Sequence, residues 1–254
     1  MPAPAALVVP LRPGVRAAFT TRAGGRSDGP YRSLNLGMHV GDVPERVVAN
    51  RAAAAASLGL VAEHVAWAEQ VHGARVAVVD TAVPGARRDA VAGCDAMVSA
   101  SAGAALAVLT ADCVPLLLAA PGGLVGAVHA GRRGLAAGVV ETAVAAMAGA
   151  ASRTDDIAAV TGPAIGPCCY EVGVAVHDEV TSRIPAAAAR SRGGRPALDL
   201  VAGVRAVLAG LGVADVRSVG GCTACAPDSW FSYRRDGVTG RMGAYVWADA
   251  GEVT

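Results

Sequence analysis

The stretch Thr110-Ala111-Asp112-Cys113-Val114-Pro115-Leu116-Leu117-Leu118-Ala119-Ala120-Pro121-Gly122-Gly123-Leu124-Val125-Gly126-Ala127-Val128-His129-Ala130-Gly131 decides the reading of the chain. Residues 115–120 and 124–129 are apolar runs of strand length, and Pro121-Gly122-Gly123 between them is a turn signal. The pair reads as a β-hairpin. With Ala120 facing Leu124 across the turn, Pro115 falls opposite His129 and Cys113 opposite Gly131. Cys113 and His129 are then diagonal neighbours at the open end of one hairpin, roughly 7–8 Å apart by Cα. Zinc accepts a thiolate and an imidazole as ligands. The same pair also reads as a buried cysteine beside a hydrogen-bonded histidine.

Outward from the hairpin, residues 104–110 form another apolar run, broken at 111–113. Residues 131–134 read as a tight loop. A helix is expected over 135–148, apolar almost all round and hence buried. Residues 157–161 read as a strand, followed by an irregular loop rigidified by Gly162, Pro163, Gly166 and Pro167. Upstream, 15–21 reads as a strand and 44–58 as a helix, with Pro44 in its first turn, Asp42 as cap and Gly59 as stop. Residues 75–80 are strand-like, and 82–91 form a loop carrying Arg87, Arg88 and Asp89. Downstream, the alanine-rich, basic segment 185–198 reads as a mobile surface stretch, Asp199 as the cap of a helix over 200–211, and 217–221 and 241–248 as strands. Strands and helices alternate without a regular βαβ rhythm, which indicates α/β or α+β with mixed sheets. The 254 residues, 53% hydrophobic, favour one domain over 1–254 rather than two.

The 22 basic and 21 acidic residues leave a net charge of +1. That speaks against a nucleic-acid binder with a broad basic face. All the basic residues are arginine, which excludes lysine Schiff-base chemistry and Walker-type phosphate binding. The N-terminal residues lack signal-peptide character. The most apolar stretch, 104–120, is interrupted by Asp112 and Pro115 and does not read as a membrane span. A soluble, cytoplasmic protein is expected, with its six cysteines as thiols or metal ligands rather than a disulfide scaffold.

A third metal ligand must come from His39, His64, His72 or His177. His72, in Gln70-Val71-His72-Gly73 just before a strand, is placed to project over a sheet end. Taken alone it reads more readily as an ordinary turn histidine. His39 is a weaker candidate, and His64 and His177 lie in helix-like surroundings and read as surface residues. Cys168-Cys169 and Cys222-x-x-Cys225 are weak as a metal or redox signal. Adjacent cysteines rarely form an unstrained disulfide, so these four read as thiols near the site or the core.

Nine segments together carry a resemblance. They are Thr20-Thr21-Arg22-Ala23-Gly24-Gly25, Ser33-Leu34-Asn35-Leu36-Gly37, Val40-Gly41-Asp42, Asn50-Arg51, Gln70-Val71-His72-Gly73, Thr110-Ala111-Asp112-Cys113-Val114-Pro115, Val128-His129-Ala130-Gly131, Gly162-Pro163-Ala164-Ile165-Gly166 and Phe231-Ser232-Tyr233-Arg234-Arg235. In this order, over nearly the whole chain, they resemble the laccase-domain, polyphenol-oxidase-like family of zinc-dependent purine nucleoside phosphorylases, which includes proteins called peptidoglycan-editing factors. The resemblance implies that His72, Cys113 and His129 are zinc ligands and that the fold is an α-β-β-α layered sandwich. It implies phosphorolysis of adenosine, inosine, guanosine and S-methyl-5'-thioadenosine, and deamination of adenosine. The chain departs from the family at Arg132, where a tryptophan is usual, and at Arg26, where an apolar residue is common.

Zinc held by two imidazoles and a thiolate keeps a fourth position open. Cys113, His129 and Asp112 are the expected catalytic residues. Deamination requires an activated water and a carboxylate proton shuttle. Asp112 or Asp95 is available for the shuttle, and Asp112 reads equally as a turn-capping carboxylate. Without lysine, phosphate must meet arginine, histidine or backbone N–H groups, and the arginine fork suits it. Arg51, Arg133 and Arg22 are the candidates, with Asn35 and Gln70 for ribose or base. Each also reads as an ordinary ion-pair or turn residue. The aromatic residues of 231–235 are placed to lie on a purine or simply to close a strand edge.

Two other functions fit the residues. Five histidines are too few for a multicopper oxidase, whereas a single copper with two histidines, a cysteine and an axial methionine remains compatible. A cysteine hydrolase acting on peptidoglycan precursors would use Cys113 as nucleophile and His129 as base, leaving His72 idle.

Overall fold

Strands that are apolar on both faces must be covered on both sides. This chain meets that demand with two sheets stacked face to face and helices outside each. The computed structural model describes residues 6–79, 90–101, 103, 105–151 and 153–249. Its strands are β1 (Ala6–Arg12), β2 (Val15–Thr20), β3 (Val65–Trp67), β4 (Val76–Val78), β5 (Ala96–Ser99), β6 (Ala105–Thr110), β7 (Val114–Ala119), β8 (Val125–Ala130), β9 (Ala158–Thr161), β10 (Ala188–Arg190), β11 (Pro196–Leu198), β12 (Asp215–Ser218) and β13 (Met242–Ala248). Its helices are α1 (Pro44–Ser57), α2 (Arg132–Ala136), α3 (Val139–Ala151), α4 (Val174–Arg183), α5 (Leu200–Gly210) and α6 (Tyr233–Asp236). One sheet has the order β1-β2-β13-β6-β3 and the other β12-β9-β7-β8-β5-β4, with β10-β11 as a separate pair. Both large sheets are mixed, because β3 runs parallel to β6, β4 to β5 and β12 to β9.

Side-chain alternation sorts each apolar run between two cores. Leu117 and Ala119 of β7 face Phe19, Leu106, Val108 and Val246 of the opposing sheet. Val114, Leu116 and Leu118 of the same strand face outward, against Val140, Ala143, Val144 and Met147 of α3 and Val204 and Leu208 of α5. On the far side, Tyr245 and Trp247 of β13 pack with Ala54 and Ala55 of α1. The layers are α-β-β-α, as the resemblance implies.

The hairpin has the register expected from its turn. Pro115 pairs with His129 and Val114 with Ala130, and the turn is a single 3-10 unit in which Gly122 and Gly123 both take positive φ. Two segments cross between the sheets at the same end of the sandwich: 111–113, joining β6 to β7, and 68–75, joining β3 to β4. They share that end because β3 and β6 are parallel neighbours. The end of β8 arrives there as well, antiparallel to the start of β7.

Several local expectations are corrected. The helix expected at 135–148 is two helices, because Gly138, at φ 90°, separates α2 from α3, and α2 already begins inside the expected 131–134 loop. One face of α3 is buried, whereas Thr142 and Ala145 lie on its exposed side. Asp42 does not cap α1. The cap position is Val43, and the Asp42 carboxylate instead binds Ser27 Oγ and Asn35 Nδ2. Segment 185–198 is no loose surface stretch: it forms the β10-β11 pair, with Ala187, Ala197 and Leu198 fully buried. Asp199 does cap α5, accepting from the Ala202 amide at 2.9 Å. Most of the expected 82–91 loop lies outside the described residues. Among the described residues, no helix is long and apolar enough to cross a membrane.

Candidate metal centre and cleft

At the shared end of the sandwich, the two crossovers and β8 deliver His72, Cys113 and His129 to one point. One donor atom from each lies within 4.8 Å of the others. Cys113 Sγ is 3.9 Å from His72 Nε2, and the two imidazole rings stand edge to face at a centroid distance of 4.8 Å.

The order of this trio comes from Asp95, just before β5 and fully buried. Its Oδ1 lies 2.8 Å from His129 Nδ1. An ionised carboxylate only accepts hydrogen bonds, so Nδ1 carries the proton and the Nε2 lone pair is left for a ligand. The same carboxylate accepts the amides of Val71 (3.1 Å), His72 (2.9 Å) and Gly73 (2.7 Å). His72 has a positive φ of 61°, which this triple contact holds in place.

Cys113 and His129 favour each other's charged forms, thiolate and imidazolium, and a metal ion would take the place of the imidazolium's Nε2 proton. Burial works to raise the Cys113 thiol, but the charge and hydrogen bond of His129, aided by His72, outweigh it and bring the thiol down to about 6. Burial opposes protonation of His129, yet Cys113 and Asp95 overcome it and raise the imidazole to about 9. A thiolate is what a metal requires of cysteine. The space fits as well. A Cβ built on Gly131 would stand 3.0 Å from both Cys113 Sγ and His72 Cδ2, so a larger residue there would push these two side chains by a few tenths of an ångström. The trio can therefore hold a metal ion.

The trio opens onto a cleft of about 1050 Å³, walled also by Met38, His39, Arg51, Gln70, Tyr170, Tyr233, Arg234 and Arg241. Gln70 faces it, but both ends of its amide are engaged with the backbone of Leu109, each at 2.7 Å. Arg51 stacks on Trp67 with its guanidinium carbon 4.1 Å from the ring centroid, and its Nε donates to the Leu36 carbonyl at 2.9 Å. Asp112 lies in the wall, at φ 100°. Its carboxylate accepts from Thr223 Oγ1 and from the Arg234 amide.

Other expected residues stand elsewhere. Asn35 is fully buried behind the wall, where its Oδ1 accepts the amides of Gly37 and Arg241 and its Nδ2 donates to Asp42. Arg133 is exposed and Arg22 binds the carbonyls of Arg32 and Pro227; neither lines the cleft. Phe231 is buried beside Trp230 and Met242, so Tyr233 is the aromatic of its segment that faces the cleft. Arg132, in the family tryptophan's place, reaches Glu179 at 3.5 Å and hydrogen-bonds Tyr170 behind the wall. The sequence reading missed Arg234 and Arg241 as cleft cations. Arg241 stands alone just before β13 and gives no pattern by which to find it, whereas Arg234, in α6, belongs to the 231–235 segment, which was the available signal.

A family profile described as multi-copper polyphenol oxidoreductase laccase matches residues 16–249. A purine nucleoside phosphorylase of Streptomyces coelicolor is 52% identical, with 93% of this chain and 96% of that protein covered. One of Streptomyces griseus is 49% identical over 94% and 97% of the two chains. Among solved structures, YlmD from Geobacillus stearothermophilus superposes with a TM-score of 0.86 at 39% identity, covering 93% of this chain and 92% of that one. The chain belongs to this laccase-like family, whose relatives here carry the name purine nucleoside phosphorylase.

Proposed function

We propose that the protein is a zinc-dependent purine nucleoside phosphorylase acting on adenosine, inosine, guanosine and S-methyl-5'-thioadenosine, and that it also deaminates adenosine. The observation that carries this reading is the convergence of two imidazoles and a thiolate, ordered by Asp95, in the wall of a cleft ringed by arginines. His72, Cys113 and His129 would hold the zinc, which when bound would supply Lewis-acid polarisation.

The chain's own residues do the rest. Arg51, Arg234 and Arg241 give the cleft the positive charge that a phosphate dianion needs in the absence of lysine. The phosphate oxygen attacks the anomeric carbon of the ribose, the glycosidic C–N bond breaks, and the purine leaves with the bonding pair and takes up a proton. His39 stands in the same wall. Burial, helped by Arg241, Arg51 and His72, lowers its pKa, so it is a neutral imidazole able to hydrogen-bond a purine nitrogen. Tyr233 and Tyr170 supply faces for the base. Asp112 fixes Thr223 and the Arg234 backbone through its two oxygens and is the cleft carboxylate beside Cys113 on which deamination would draw for its shuttle.

The same three donors would also suit a single copper. The deciding experiment is chelation followed by repletion with zinc or copper, with adenosine and phosphate as reactants and purine release read by chromatography. Zinc should restore formation of adenine and ribose 1-phosphate, and inosine formation in water. Purine release that persists in metal-free protein would sink the proposal. A blue protein that oxidises phenols with copper, but is inert with zinc, would replace it with the oxidase.

A further inference from the structure

Four thiols that the cleft does not use meet at a second point. Cys168 and Cys169 lie in the loop between β9 and α4, and Cys222 and Cys225 in the loop between β12 and α6. None is in a disulfide. Cys225 Sγ is 3.6 Å from Cys168 Sγ and 3.4 Å from Cys169 Sγ, and all four sulfurs lie within 4.8 Å of one another. We infer that Cys168, Cys169, Cys222 and Cys225 form a second, tetrathiolate site that holds a structural zinc ion.

Four thiolates around zinc, each about 2.3 Å from the ion, stand about 3.8 Å from one another at tetrahedral angles. The spacing found here is of that size. Four-cysteine sets are closed, structural sites, in contrast to the three-ligand centre with its open position. Two tight turns present the thiols: the Cys169 amide donates to Gly166 O at 3.0 Å and the Cys225 amide to Cys222 O at 3.1 Å. Gly166 borders the cluster at ordinary contact distance. A Cβ there would stand 3.4 Å from Cys168 Sγ and 3.6 Å from Cys222 Sγ. Zinc with four thiolates carries a net double negative charge. Arg192 Nη2 donates to Cys225 Sγ at 3.3 Å, and the Arg235 guanidinium lies alongside, held by the carbonyls of Thr223 and Ala224.

The placement gives the ion a purpose. Cys169 precedes Tyr170, which lines the cleft, and Thr223, between the other two cysteines, binds Asp112 beside Cys113. The amide of Ile165, a few residues before Cys168, donates to the Asp112 carbonyl at 2.9 Å. A zinc ion across the two loops thus ties together the wall on which Tyr170 and Asp112 stand. This inference does not rest on the phosphorylase reading.

The test is metal content by mass spectrometry, with reagent-accessible thiols counted in the same samples of the full-length protein purified with zinc. The wild type should hold about two zinc ions per chain, and Cys113→Ala and Cys222→Ser/Cys225→Ser about one each. A wild-type content of one zinc that Cys113→Ala abolishes would overturn the second site. So would an unchanged content in Cys222→Ser/Cys225→Ser. Should that variant fail to fold, the wild type still decides. Stripping zinc should make the four thiols reactive, and zinc alone should protect them again. Four thiols that react equally with and without zinc, or a disulfide among them in the native protein, refute the site.

Discussion

Asp95 and His129 are joined twice. The carboxylate takes the imidazole at 2.8 Å, and the His129 amide donates to the Asp95 carbonyl at 2.7 Å. The second bond continues the β5–β8 ladder, in which Ala96 pairs with Val128. Strand register therefore sets the orienting carboxylate beside the His129 imidazole. Carboxylates in this position on a metal-binding histidine raise its basicity and fix its tautomer.

Replacing Asp95 by Asn should then weaken metal binding roughly 10- to 100-fold while the fold persists. Competition with a chromogenic chelator measures the affinity and circular dichroism the fold. An unchanged affinity would show that strand pairing alone orients His129.

The acid side of stability follows from the same carboxylate. Burial pushes Asp95 up, but the bond to His129 and the amides of Gly73 and Val71 outweigh it and hold the group below the usual carboxylate range. Its contribution is complete above the unfolded-state value of about 3.9 and fades as pH falls through the lower native value. The Asp95 carboxyl carbon shift should hold steady from neutral pH to about 5 and change only below about 4. A transition near neutrality would contradict the assignment.

Gly131→Ala should empty the metal centre without unfolding the protein. The new methyl meets Cys113 Sγ and His72 Cδ2 at 3.0 Å on a site with little slack. Zinc content should drop by about one ion per chain against an unchanged far-ultraviolet spectrum. Full retention would mean that the His72 loop yields more easily than its three bonds to Asp95 suggest.

Arg51→Lys and Arg241→Met should depress phosphorolysis more than deamination, because only the first reaction takes phosphate. Arg133→Lys, outside the cleft, should leave both rates near wild type. Parallel assays of adenine and inosine formation separate the cases. Equal losses in both reactions would assign these arginines to the base or the fold instead.

In the inter-sheet core, Phe19→Ala should cost about 3–5 kcal/mol. Phe19 is 1% exposed, and its ring packs onto Gly162, which has no side chain of its own to fill the gap: a Cβ there would stand 2.2 Å from Cδ1. Urea denaturation reports the loss. A cost under about 1 kcal/mol would indicate that the sheets close over the cavity.

The sequence by itself determined the hairpin that carries Cys113 and His129, down to its register. A turn of Pro121, Gly122 and Gly123 pins which residues face each other, and everything along the two strands follows from that pairing. Helices α1 and α5 were legible for a similarly local reason, through Pro44 and the Asp199 cap. His72 entered the ligand set only through the resemblance, since nothing in its own segment distinguishes a ligand from a turn residue. Tertiary structure decided the rest. Parallel pairing of β3 with β6 brings the His72 crossover beside the Cys113 crossover, and strand β5 places Asp95 against both histidines. The arginines of the cleft and the four-cysteine cluster come from segments distant in the chain and joined only by packing. Turn chemistry and side-chain alternation act over a few residues, whereas a cleft is made where separate strand ends meet. That meeting is fixed by how two sheets stack, which no local pattern encodes.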